Sequence, residues 1–122
     1  MRRRALLACL LVLGACAPRA CSDGEERQLE RAVQALVGEP GPRADDAERM
    51  LVAVGADAVL YIETGLYDAE PRARRRIVRT LAKIAAPTVQ PILRHLAARD
   101  PDPDVRSDAQ AALAQVETAS PP

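Results

Sequence analysis

Apolar residues recur along this chain at steps of three and four. Leu29, Ala32, Val33 and Leu36 form the first such set. Ala47, Met50, Leu51 and Val54 form the second, and Val59, Ile62 and Leu66 the third. Ile77, Leu81 and Ile84 follow, with Val78 beside them; then Val89, Ile92, Leu93 and Leu96; then Ala109, Ala112, Leu113 and Val116, with Val105 one turn earlier. Each set makes one apolar face of an amphipathic helix. Gly38, Pro40, Gly41 and Pro42 end the first helix, and Gly55 ends the second. Ser22 with Glu25 has the spacing of a capping box at the first. No sustained period-two alternation bounded by turn pairs is present, so the pattern predicts an all-α domain of six short helices.

The six helices fall into three pairs that superimpose in sequence. A shift of 32 residues brings Asp68 onto Asp100, Pro71 onto Pro103, Arg74 onto Arg106, Leu81 onto Leu113 and Ile84 onto Val116. A shift of 30 brings Leu51 onto Leu81, Val54 onto Ile84, Val59 onto Val89, Ile62 onto Ile92 and Leu66 onto Leu96. A two-helix unit at this period is the signature of an α-solenoid, in which no pair buries its apolar face alone and stacked pairs share one core.

The D-x-x-P-x-x-R pattern opening a helix that ends L-x-x-I or L-x-x-V resembles the HEAT repeat, and more narrowly the short HEAT-like repeats of bacterial proteins. Asp68, Pro71, Arg74, Leu81 and Ile84 carry it once; Asp100, Pro103, Arg106, Leu113 and Val116 carry it again. Proline suits the first helical turn, where its missing N–H is no loss. Glu70 and Asp102 place a carboxylate just before it, near the positive end of the helix. The resemblance implies that Asp68, Arg74, Asp100 and Arg106 tie adjacent repeats together. The first pair departs from the pattern: Ala44 stands where an arginine is expected, and its inter-helix turn is long and rich in Pro and Gly. An atypical terminal repeat is expected of such a stack.

Composition narrows the core. The chain of 122 residues has no Phe or Trp and two Tyr, so the core must be Leu, Val, Ile and Ala. The size sets one compact domain as the upper limit. Net charge is zero, with 17 basic and 17 acidic side chains, and Lys83 is the only lysine.

The start of the chain has a separate character. MRRRALLACLLVLGAC begins basic, continues apolar from Ala5 to Val12, and ends in small residues and a cysteine. The apolar run is short for a membrane span and has the organisation of a secretory signal. The terminal LGAC resembles the lipobox of bacterial lipoproteins, which implies that Cys16 receives a diacylglycerol and becomes the first residue of the mature protein. Two alternatives stand beside this: a buried N-terminal helix, and ordinary secretion with a Cys16–Cys21 disulfide. On the lipoprotein reading the chain divides into a signal peptide (1–15), a lipidated cysteine and tether (16–22), the repeat domain (23–117) and a disordered tail (118–122). The implied location is the bacterial cell envelope, with Ala17 after the cysteine favouring the outer membrane under the enteric sorting rule. Loss of Arg2, Arg3 and Arg4 with the leader takes 17 basic residues to 14 against 17 acidic, a net charge of −3.

Chemistry centres on one helix. Arg72, Arg75, Arg76, Arg79 and Lys83 form a continuous basic stripe beside the apolar face of the fourth helix. Thirty residues back, Arg75 and Arg76 correspond to Asp45 and Asp46; 32 residues on, Arg72 and Arg76 correspond to Asp104 and Asp108. The stripe is either neutralised within the chain by the neighbouring helices or offered to an anionic partner such as a polysaccharide, a lipid head group or an acidic protein. An exported chain of negative net charge without interleaved aromatics excludes nucleic acid as the expected ligand.

His95 is the only histidine, and no serine stands in a nucleophile motif, so no catalytic set is expected. Asp100, Asp102 and Asp104 have alternate spacing, but Pro101, Pro103 and Arg106 break a calcium loop. No cofactor, metal or small-molecule substrate is expected. Tyr61 and Tyr67 share the third helix, six residues apart and so on different faces. The function expected is a non-catalytic, membrane-tethered protein–protein interaction scaffold. Its partner face is the second helix of each pair, and its partner-binding residues are Arg49, Arg75, Arg76, Arg79 and Lys83. Two alternatives remain open: a HEAT-like chromophore lyase or isomerase component, and a basic-groove binder of an anionic envelope ligand.

Overall fold

A computed structural model describes residues 23–119. The leader, Cys16, the tether with Cys21, the Ser22 half of the proposed capping box and residues 120–122 lie outside the described residues. Among the described residues there are helices and turns and no strand. Helix α1 covers residues 23–37. Then come α2 (Pro42–Val54), α3 (Val59–Gly65), α4 (Pro71–Ile84), α5 (Gln90–Arg99) and α6 (Pro103–Ala119), with 3₁₀ turns at Gly55–Ala58 and Pro87–Val89. The all-α solenoid expected from the repeat is the architecture found. Helix α6 continues past the expected boundary at Glu117 to Ala119.

The punctuation follows backbone chemistry. Proline occupies the first turn of α2 and α4. Gly55 closes α2 with φ 78°, a left-handed angle that glycine adopts without a Cβ penalty, and its N–H donates to the Leu51 carbonyl. Ala85 ends α4 at φ 54° and donates to the Leu81 carbonyl at 3.0 Å, so an alanine holds a position that glycine usually fills. Asp102 caps α6: its Oδ1 accepts from the N–H groups of Asp104 (2.9 Å) and Val105 (3.0 Å). Glu70, at the matching place before α4, makes no side-chain cap bond. Its longer side chain lacks the short reach that suits Asp to the cap.

One continuous core runs from Leu29 on α1 to Val116 on α6. Leu36, Leu51, Ile62, Ile77, Leu81 and Leu93 are fully buried at its centre. Thr80 is fully buried too, and its hydroxyl donates to the Arg76 carbonyl at 3.0 Å. Helix α4 packs against both α2 and α6, so the second helices of the three pairs lie side by side with α4 in the middle. The first helices approach closely: a Cβ added at Gly65 on α3 would stand 2.6 Å from Cγ1 of Val33 on α1. Val54, assigned to the apolar face of α2 by its spacing, is 40% exposed. Ile84, its counterpart on α4, has a hairpin on either side and is half-buried.

Candidate functional site

The residues implied as repeat ties occupy different situations. Arg74 on α4 reaches Asp100 at the end of α5: Nε donates to Oδ2 at 2.8 Å and an η nitrogen to Oδ1 at 3.1 Å. The other η nitrogen donates to the Ala69 carbonyl at 2.7 Å. Asp100 Oδ1 also accepts from the Asp102 N–H at 2.9 Å. The two side chains are 15% and 2% exposed, so this is a desolvated, two-pronged pair with its lone pairs used. Arg106, one repeat on, donates to the carbonyls of Asp100 (2.7 Å) and Pro101 (3.2 Å), the second of these matching the Arg74–Ala69 bond. No aspartate of a following repeat faces it among the described residues. Asp68 is exposed and has no hydrogen-bond or ion-pair partner among the described residues. Its partner would come from position 44, and Ala44 has no guanidinium to give.

The basic stripe of α4 splits into engaged and open members. Arg75 Nε donates to Asp108 Oδ2 on α6 at 2.7 Å, and that bond, with the Asp108 charge, raises the Arg75 pKa further above its ordinary value. Lys83 Nζ sits 2.7 Å from Glu48 Oε1 on α2. Arg76 turns the other way, and one η nitrogen donates to the carbonyls of Leu36 (2.6 Å) and Gly38 (3.3 Å). These carbonyls lie at the end of α1, so Arg76 satisfies groups the helix leaves unpaired. Arg49 pairs with Asp46 one turn back on its own helix, both well exposed. Arg72 and Arg79 are exposed, and neither reaches a carboxylate among the described residues. Arg79 makes only a long bond to the Arg75 carbonyl, 3.5 Å.

The acidic neighbours differ from those the repeat spacing indicated. Glu48, rather than Asp45 or Asp46, faces α4 from α2, and Asp108 takes Arg75 rather than Arg76. Long side chains reach across helix pairs and find partners one or more positions from the aligned residue. Of the five residues expected to bind a partner, four therefore have intramolecular partners, and Arg79 with Arg72 remains the open part of the stripe.

Other candidate groups have defined places. His95 is exposed on α5, beside a groove of about 650 Å³ that Leu66, Tyr67, Pro91 and Ile92 also line. Tyr61 is half-buried, and its pKa is raised by burial and by the charges of Glu26 and Glu30; Tyr67 is 88% exposed. Asp100 and Asp102 are engaged with Arg74 and with the start of α6, and no group of three metal-ligating side chains occurs among the described residues. No helix among the described residues is long and apolar enough to cross a membrane.

Stacked helical hairpins, joined across a shared core and tied by a buried Arg–Asp pair, define an α-solenoid. The chain matches the family model for HEAT repeats over residues 19–114, most of its length, and it belongs to the HEAT-repeat family. Neither the curated proteins nor the solved structures searched contain a match to it. HEAT repeats generally mediate protein–protein interaction.

Proposed function

We propose that this chain is a non-catalytic scaffold that binds a protein partner through the face formed by α2, α4 and α6, and that a lipid on Cys16 holds it at the bacterial envelope. One observation carries the binding face. Arg72 and Arg79 stand exposed on the central helix and reach no carboxylate among the described residues, while Arg75 and Lys83 of the same stripe are paired with Asp108 and Glu48. An interaction surface keeps open what stability does not use. The tether is supported by the sequence of residues 1–16: a basic start, a short apolar run and a small-residue exit into cysteine.

A photo-reactive residue at position 79, in the intact chain in its native membranes, tests the face. It is expected to give one discrete protein adduct, and the same probe at Leu60, exposed on α3, is expected to give none. Adducts of equal yield at both positions, or none at position 79, would contradict the assignment. The tether has its own check: Cys16→Ser should move the protein out of the membrane fraction, and retention there would exclude the lipid anchor.

A further inference from the structure

The open part of the α4 stripe has a shape that restricts its ligand. Arg72 and Arg79 are seven residues apart, which is about two turns and about 10 Å along the helix axis. Between them Arg75 is held by Asp108 and Arg76 is directed to the end of α1. The four arginines border one shallow groove of about 500 Å³, walled on the α6 side by Asp102 and Asp104. Glu48 stands on the opposite flank, on α2. Packed helices lie about 8–10 Å apart, so the positive line is about one helix wide; Asp102 and Asp104 give it a negative rim on the α6 side, and on the α2 side Glu48 is taken up by Lys83. A duplex or an anionic bilayer laid on this face would press its charge against Asp102 and Asp104 as well as the line, and like-charge contacts are unfavourable. A single row of carboxylates avoids them.

We propose that α4 docks one acidic helix of a protein partner, whose carboxylates at positions i and i+7 meet Arg72 and Arg79. This rests on the assignment of this face as the partner site. Each open guanidinium takes a carboxylate through its planar fork. The partner's residues beside the acidic row on the α6 side are neutral or basic, because they face Asp104. The contacts proposed are guanidinium–carboxylate pairs at an exposed surface, so the complex weakens with salt.

The test uses the intact protein as isolated from cells, kept in detergent, and a labelled helical peptide with Glu at i, i+3 and i+7 and Lys on both flanks. A second peptide carries Gln at the three acidic positions. Anisotropy is expected to show the Glu peptide binding about tenfold or more tightly than the Gln peptide, with loss of affinity from about 0.05 to about 0.5 M salt. Arg72→Glu with Arg79→Glu should remove that preference; Arg31→Glu, on exposed α1 surface, should not. Arg72→Gln with Arg79→Gln removes the charges without adding repulsion and is read in parallel, alongside a thermal melt of each variant. Equal binding of the two peptides, or a preference that survives both double variants, would overturn the proposal. Phosphatidylglycerol vesicles that displace the peptide at equal charge concentration would also overturn it, in favour of a lipid surface. A protein adduct at position 79 together with any of these results leaves the scaffold standing and removes only the acidic helix.

Discussion

The two junctions of this small stack are built from one repeat and joined in different ways. Where the second pair of helices meets the third, Arg74 and Asp100 form a buried, two-pronged ion pair, with Arg75 and Asp108 beside it. Where the first pair meets the second, Ala44 removes the equivalent arginine and Asp68 is left facing solvent. The connection there passes to Arg76, which bonds backbone carbonyls at the end of α1, and to the exposed Lys83–Glu48 pair. A side-chain pair is lost when either member changes. A backbone carbonyl is present whatever the residue. The N-terminal junction therefore replaces a residue-specific tie with one that tolerates sequence change.

The largest separation between the junctions should come from Asp100→Ala. It leaves the Arg74 guanidinium largely buried without its carboxylate, and breaking a buried pair this way costs about 3–5 kcal/mol. Denaturant unfolding should show that loss, and a loss below about 1 kcal/mol would mean the pair is solvated. Arg76→Met should cost less, about 1 kcal/mol, since it removes hydrogen bonds to carbonyls that water can partly replace. Its effect should appear first as faster amide exchange at the end of α1. Lys83→Ala should change stability by at most about 0.5 kcal/mol, because an exposed pair contributes little. A loss as large as that of Arg76→Met would show that the α2–α4 contact depends on charge more than the geometry indicates.

Much of this was legible in the sequence, and what was not has a physical reason. The apolar spacing gave the helices and their order, because burial on one face demands that period. The resemblance to HEAT repeats marked Arg74 and Asp100, and the 30-residue alignment exposed Ala44 as the break. Arg76 looked like one more member of a surface stripe. Its acceptors are backbone carbonyls, which every residue carries, so no residue type could have announced them. Glu48 and Asp108 were displaced from the aligned positions because arginine and lysine side chains span more than one helical step. Val54 has the right spacing for the core yet lies 40% exposed, since spacing shows which face a residue is on and not whether a neighbour covers it.

Native-state hydrogen exchange is the most direct measure of whether the two junctions differ as described. Stacked repeats open according to their own stability and that of their interfaces. Amides of α1 and α2 are expected to exchange through partial openings at lower free energy than those of α4, α5 and α6, and Asp100→Ala should bring the two regions together. Equal protection throughout the wild-type chain, or stronger protection in α1 and α2, would contradict the account.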